Sequence, residues 1–197
     1  MTSKWRSCKR CPELVDCRKK VVLGYGNPNA NIMFIADKPG FEENKEGIPM
    51  LGAVGDYYNT TLVKAGISFE DVWTTNAVAC LTPKARDPFD YELNNCLERL
   101  REEILSVDPD IIVLMGRVTF RHLTGQTAAV SKSQLKTFVL EFEHEGIVAK
   151  YPAIVTYNPG FIRKNPSLKT HQPWHFMYRA FQRAVDVTDR LIEVRDE

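Results

Sequence analysis

The stretch NIMFIADKPGFEENKEGIPMLGAVG, Asn31 to Gly55, opens as an apolar run, Ile32-Met33-Phe34-Ile35-Ala36. It breaks at Asp37-Lys38-Pro39-Gly40, passes an acidic loop, and tightens again at Gly47-Ile48-Pro49-Met50-Leu51-Gly52. An apolar run of this length ended by Pro-Gly reads as a buried strand that delivers a polar loop to a sheet edge. In open α/β sheets ligands bind at that edge, and glycines there let the backbone come close to a ligand.

Working outward, Val21 to Gly26 reads as a short extended piece before a turn at Asn27-Pro28-Asn29. Ala53 to Ala65 has Val54, Tyr58, Leu62 and Ala65 at helical spacing, with Gly66 as its stop. Val72 to Ala79 is rich in β-branched residues and reads as the second strand, carrying Asn76 and ending at Cys80. Phe89 to Val107 is an amphipathic helix with Leu93, Cys96, Leu97, Leu100 and Ile104 on one face, stopped at Asp108-Pro109. Asp110 to Met115 is a buried strand that Gly116 turns into a helix through Leu123. Gly125 to Lys136 reads as loop. Thr137 to Phe142 and Gly146 to Lys150 suit a hairpin around Glu143-His144-Glu145. Ala153 to Tyr157 is the last strand, ending in Asn158-Pro159-Gly160-Phe161-Ile162-Arg163, so a second strand meets a Pro-Gly turn. From about Pro173 the chain reads as helix. Strands alternating with helices imply an α/β fold: a three-layer αβα sandwich around a mainly parallel four-stranded sheet. The expected organisation is one domain over residues 1–197, with the N-terminal segment 1–30 packed on it.

Of the 197 residues, 26 are Lys or Arg and 25 are Asp or Glu, so net charge neither demands nor excludes nucleic acid. The charge is unevenly placed. Lys4, Arg6, Lys9, Arg10, Arg18, Lys19 and Lys20 crowd the N-terminus, and Arg163, Lys164 and Lys169 cluster late; both patches suit phosphates or simply solvated faces. Lys84 to Arg86 adds a basic loop. No apolar run reaches membrane-spanning length, and residues 1–20 lack the apolar stretch of a secretory signal. The expected location is cytoplasmic, in a bacterial cell or a virus-infected host cell. His122, His144, His171 and His175 show no metal-demanding pairing, and Glu42, Glu43 and Glu46 read as solvated charge.

Five cysteines in such a chain argue for metal or redox chemistry over a disulfide framework. Cys8-Lys9-Arg10-Cys11 is a CxxC. Cys80 ends a strand and Cys96 lies on the next helix, so the loop can fold both thiols back beside it. Four thiolates suit a [4Fe–4S] cluster or a structural zinc, and two buried structural cysteines with an accidental CxxC are the plain alternative. Cys17 has no assigned part.

Taken together, these motifs resemble the family-4 uracil-DNA glycosylases, which carry an iron–sulfur cluster. Those proteins begin with CxxC and a basic stretch leading to Val-Val, like CKRCPELVDCRKKVV here. A strand then enters Gly-Glu-Ala-Pro-Gly, an acidic loop, Gly-x-Pro-Phe-x-Gly and x-Gly, like ADKPG, EENKEG, IPMLG and AVG. TTNAVAC matches their Thr-Asn before the third cysteine, DIIVLMG their strand-to-Gly segment, and TYNPGFIRKNP the turn after their last strand. The likeness runs from about Cys8 to Trp174.

The resemblance implies that Cys8, Cys11, Cys80 and Cys96 hold a [4Fe–4S] cluster bracing the structure near DNA. It implies that Asp37 and the backbone of Lys38, Pro39 and Gly40 line a base pocket, with Met50 standing where the family has a stacking Phe. Asn76 bonds the pyrimidine edge and Asn158 faces the base from the other side, with Asp37 and Asn158 as the catalytic pair. Phe161 and Ile162 take the place of an apolar wedge in the duplex, and Arg163, Lys164 and Lys169 hold phosphates. The implied partner is DNA, with the chain a monomer and a replication or repair protein as a further partner. Three positions depart from the pattern: Asp37 for Glu, Met50 for Phe, and Asn158 for His. They leave two expectations. One is a glycosylase that removes uracil or a related damaged or modified pyrimidine, leaving an abasic site. The other is a catalytically weak or silent iron–sulfur relative acting as a replication, repair or viral accessory protein.

Overall fold

The structure is a computed structural model that describes residues 3–144, 146–165 and 172–196. A 3-10 turn over Ser3–Ser7 leads to helix α1 (Pro12–Cys17), strand β1 (Tyr25–Gly26), β2 (Ile32–Ala36), α2 (Phe41–Glu46), α3 (Gly52–Lys64), β3 (Val72–Asn76) and α4 (Asp90–Val107). Then follow β4 (Ile111–Met115), α5 (Arg117–Thr124), α6 (Val130–Ser133), β5 (Thr137–His144), β6 (Ile147–Thr156), α7 (Pro159–Lys164) and α8 (Gln172–Asp196).

The strands lie in the order β1-β3-β2-β4-β6-β5. The four inner strands, β3-β2-β4-β6, run parallel. β1 and β5 add antiparallel edges. The sheet therefore has six strands, not four. The expected hairpin folds onto the sheet because its second arm and the last strand are one continuous strand, β6, whose register with β4 begins at Ala153, just past Pro152. The chain leaves β2 toward β3 on one side and leaves β4 toward β6 on the other. The carboxyl ends of β2 and β4 thus flank the switch point where open α/β sheets hold ligands.

β2, β3 and β4 are buried at every position, as parallel strands covered on both faces must be. Alternation divides them between two cores. Met33, Ile35, Ile112, Leu114 and Val155 face α4 and α5, with Leu93, Leu100, Ile104 and Phe120. Ile32, Phe34, Ala36, Ile111, Val113, Met115 and Ile154 face α3 and α8, with Tyr58, Leu62, Met177, Ala180 and Phe181. Phe34, Tyr58 and Phe181 close that second core edge to face, with centroids 4.6 to 5.8 Å apart.

Four local readings change. The acidic segment after Gly40 is helix α2, started by the Glu43 carboxylate accepting the Gly40 N–H and stopped at Gly47 with φ 81°. The Asn158 turn likewise continues as α7, and residues 130–133 form α6 within the expected loop. The second strand stops at Asn76 rather than Ala79. The cause is Arg99, which is 1 % exposed and donates from Nη2 to the carbonyls of Asn76 and Ala77 (3.0 Å to the latter), so those carbonyls leave the sheet ladder. Arg99 Nη1 reaches Thr75 Oγ1 at 3.0 Å and Glu103 at 3.0 Å. Burial opposes the charge on Arg99, and Glu103, together with Cys96 and Cys80, more than restores it. Glu103 also accepts from Thr75 Oγ1 at 2.6 Å and from the Gly24 N–H at 3.2 Å.

Removing one member of a buried, hydrogen-bonded ion pair strands the other charge. Arg99→Met is therefore expected to cost about 3–5 kcal/mol of unfolding free energy. Arg99→Met/Glu103→Met should lose less than the two single variants summed, because no lone charge remains. Denaturant titration of all three checks this, and strict additivity would refute the coupling.

Candidate active site and cysteine cluster

Four parallel strands bring Asp37, Asn76, Gly116 and Asn158 to one edge of the sheet. Asp37 directly follows β2. Its Oδ1 accepts from the backbone N–H of Thr119 at 2.8 Å and from Thr119 Oγ1 at 2.9 Å. Thr119 is the third residue of α5, whose N-cap, Gly116, has no side chain to offer. Asp37 thus caps this helix from a neighbouring strand, where a carboxylate also meets the favourable end of the helix dipole. The fit requires glycine: Gly116 has φ 121°, and a Cβ there would stand 2.3 Å from Asp37 Oδ2. Burial lifts the Asp37 pKa from 3.8 to about 6 against the two Thr119 hydrogen bonds, with Asp87 adding to the rise and Lys38 opposing it.

Asn158 is the N-cap of α7. Its Oδ1 accepts from the Gly160 N–H at 2.8 Å, which fixes the orientation of the amide. Nδ2 is left with two long contacts, 3.5 Å to Asp37 Oδ2 and 3.4 Å to Met115 O. Asn158 and Asp37 therefore meet across the switch point, with a donor that is only weakly engaged. Asn76 is 1 % exposed, and its Nδ2 has no hydrogen-bond partner among the described residues. A buried, unpaired amide costs roughly 1–3 kcal/mol, so such a group is retained where something else binds it.

The loop opposite is fastened by Glu43, a residue that reads from sequence as solvated. It is 5 % exposed and accepts from the backbone N–H groups of Gly40, Met50 and Leu51, while burial pushes its pKa up. The signal for it was present: Glu three residues past an N-cap position is a helix-start pattern. Met50 is buried with φ 54°, and a Cβ at Gly55 would lie 2.0 Å from its carbonyl oxygen. Pro39 is buried, Lys38 half-buried and Gly40 exposed.

On α7 the expected wedge pair divides. Phe161 is half-exposed and stacks on Tyr157, centroids 5.8 Å apart. Ile162 is wholly buried in the core beside α3 and α8, so it is not a surface wedge. The cap at Asn158 sets the rotation of the helix, so Pro159 and Ile162, three apart, face inward. Arg163 and Lys164 are exposed, whereas Lys169 and His171 lie outside the described residues. Beside this edge an open cavity between α4 and α5 is lined by Asp87, Asp90, Arg117, Arg121 and His122, and by neither Asp37 nor Asn76. Arg86 lies over the exposed Phe89 ring and is paired with Glu92 and Glu13.

The cysteines gather behind the end of β3. Cys8, Cys80 and Cys96 line a small cavity with Trp5, Val21, Ala79, Asn95 and Arg99. Asn95 Nδ2 donates to Cys11 Sγ at 3.5 Å, placing the fourth thiol beside it. Burial, reinforced by Cys96 and Cys8, pushes the Cys11 thiol up and the Cys80 thiol up to about 11. Buried thiols of this kind stay neutral unless a positive charge stands beside them. Arg18 supplies part of that charge, donating to Cys80 Sγ at 3.1 Å and to the Cys8 carbonyl. Among the described residues no three His, Cys, Asp or Glu are close enough to share a single metal ion. Cys17 ends α1 and does not line the cavity.

The Asp37 carboxyl makes stability pH-dependent. Its folded pKa lies above its ordinary value, so the folded chain holds this proton more tightly and stability falls as pH rises from about 4 to 6. The contribution is about 3 kcal/mol for a shift of this size. Chemical denaturation across that range should show Asp37→Asn gaining stability over the parent as pH rises; a constant difference would refute the raised pKa.

The sequence profile described as the uracil-DNA glycosylase superfamily matches residues 23–182. The type-4 uracil-DNA glycosylase of Sulfurisphaera tokodaii is 34 % identical over 169 residues, covering 83 % of this chain and 74 % of that protein. That of Archaeoglobus fulgidus is 31 % identical over 165 residues, covering 83 % and 81 %. A DNA polymerase of Bacillus phage SP01 is 30 % identical over 129 residues, which are 65 % of this chain and 14 % of the polymerase. Among the described residues no helix is long and apolar enough to cross a membrane. With a parallel sheet that brings the matched motifs to one edge, the chain belongs to the type-4 branch of the uracil-DNA glycosylase superfamily.

Proposed function

We propose that this chain is a DNA glycosylase that hydrolyses the N-glycosidic bond of uracil or a 5-modified uracil in DNA, leaving an abasic site. The observation that carries the reading is Asn76, whose buried amide lacks a partner at the carboxyl end of a strand. An amide donates and accepts at once and so matches the edge of a pyrimidine turned out of the helix. Bond cleavage leaves an anionic base and a cationic sugar. Asn158 Nδ2, weakly held by its present contacts, donates toward the departing base. Asp37, ionised above about pH 6, stabilises the sugar cation or orients the attacking water. Met50 replaces a rigid ring with a deformable side chain, which suits a larger pyrimidine. Arg163, Lys164 and Lys169 hold phosphates, with Phe161 against the DNA. The chain acts as a monomeric single domain on DNA, within the cytoplasm.

The cysteine site fits a [4Fe–4S] cluster on Cys8, Cys11, Cys80 and Cys96. One zinc would draw four sulfurs to about 2.3 Å from a point, whereas a cluster gives each cysteine its own iron; here Cys8, Cys80 and Cys96 line a cavity and Cys11 is held by Asn95, which also lines it. When bound, the cluster supplies a rigid brace with no step of the reaction. Protein purified without air should contain about four irons and about four sulfides per chain; zinc in their place would overturn this assignment.

One observation favours a second reading, a DNA-binding accessory relative without base release. Asp37 spends both of its short hydrogen bonds on holding α5. Oligonucleotides carrying one uracil or 5-substituted uracil, single-stranded or paired, separate the two. Base release is expected in the parent, with a drop of at least about a hundredfold in Asn158→Ala and Asn76→Ala, the cost of losing one aimed donor. Release that rises with pH through about 6 would place the carboxylate form of Asp37 in the reaction. DNA binding without release from any of these bases would support the accessory reading.

A further inference from the structure

Lys38 stands between Asp37 and Pro39, on the loop that leaves β2 at the same sheet edge. It is half-buried, and among the described residues its ammonium makes no hydrogen bond or close ion pair. Its nearest charged company is mixed. Lys164, at the end of the helix that Asn158 caps, opposes its charge, while Asp37, Asp87 and Glu43 favour it. The two lysines stand on the segments that follow β2 and β6 at this sheet edge, near enough for the charge of Lys164 to oppose that of Lys38. A lysine without a hydrogen-bonded anionic partner, partly withdrawn from water and near another cation, is the arrangement that makes an amine nucleophilic at neutral pH.

We infer that Lys38 forms an imine with the abasic sugar, giving the chain a second, strand-cleaving activity on the product of base release. The inference rests on the glycosylase reading for the place of that sugar. The ring-opened abasic sugar presents an aldehyde at C1′. The neutral Lys38 Nζ attacks it, an N–C bond forms, and the carbonyl oxygen leaves as water, giving an iminium ion. The iminium acidifies the C2′ proton, which passes to the adjacent Asp37 carboxylate. The freed electron pair forms the C2′–C3′ double bond, and the C3′–O bond breaks, releasing a strand with a 5′-phosphate. Water then hydrolyses the imine and returns Lys38 as the amine. No atom changes hands with an outside oxidant or reductant. Burial and the nearby Lys164 both hold the Lys38 pKa below its ordinary value, burial contributing most, which leaves more of the amine free to react.

The test uses the full chain and an oligonucleotide in which the abasic site is already formed, so failure of base release cannot mask or mimic the result. With sodium cyanoborohydride present, a covalent protein–DNA adduct is expected on a denaturing gel, and peptide mass spectrometry should place it on Lys38. Lys38→Arg keeps a cation for phosphates but cannot form the imine, so adduct yield should fall more than tenfold while abasic DNA is still bound. Lys164→Gln removes the opposing charge, so the pH of half-maximal trapping should move upward. No adduct in the parent, an adduct mapped to another residue, an undiminished yield in Lys38→Arg, or an unmoved midpoint in Lys164→Gln would each overturn the inference.

Discussion

The Arg99 guanidinium is the contact through which the parts of this structure are joined. It is enclosed, so each donor that it offers must be answered by protein. Glu103, Thr75 and the carbonyls of Asn76 and Ala77 answer all but Nε. The same side chain lines the cysteine cavity. One buried cation therefore ends β3, holds the backbone that carries Asn76, and sets the floor on which Cys80 and Cys96 stand. Through Glu103 it also fastens Gly24, just before β1. Such a network is costly to leave half-satisfied, so its members constrain one another more tightly than apolar packing alone would. The cysteine cavity and the candidate base site are in this way tied to one side chain.

The sheet edge shows the opposite economy. Local rules are broken there in several places at once. Asp37 is held where its charge is disfavoured, Asn76 keeps an unpaired amide, and Met50 sits at positive φ. Elsewhere the four inner strands follow their pattern closely. A buried carboxyl, an unpaired amide and a positive φ at one ligand-binding edge suit a place where binding as well as stability governs the residues. Asp37 shows how the two demands are reconciled: its Oδ1 secures α5, while Oδ2 faces Asn158.

Much of this was legible beforehand. Apolar runs ended by Asp-Lys-Pro-Gly and by Asn-Pro-Gly located β2 and β6, and their alternation with amphipathic helices gave the parallel order. Residues 125–136 and the acidic segment after Gly40 carry too few apolar residues for a periodic signal, so short helices held by caps passed as loops. Ala77 to Ala79 look like strand because their side chains are buried, but Arg99, distant in sequence, takes the carbonyls of Asn76 and Ala77. The hairpin passed as separate from the sheet because Pro152 interrupts an otherwise continuous β6.

The sequence by itself determined the alternation of strands and helices, the parallel core of the sheet and the family, because periodicity and motif spacing are local properties. Only the tertiary structure decided what each polar group faces. It turned Glu43 inward to tie the Gly40 and Met50 loops, assigned Ile162 to the core and Phe161 to the surface, and made Asp37 the cap of a helix on a neighbouring strand. It also raised the Asp37 pKa and set Lys38 against Lys164. Burial and the fields of neighbouring charges come from residues far apart in the chain, and no local pattern encodes them.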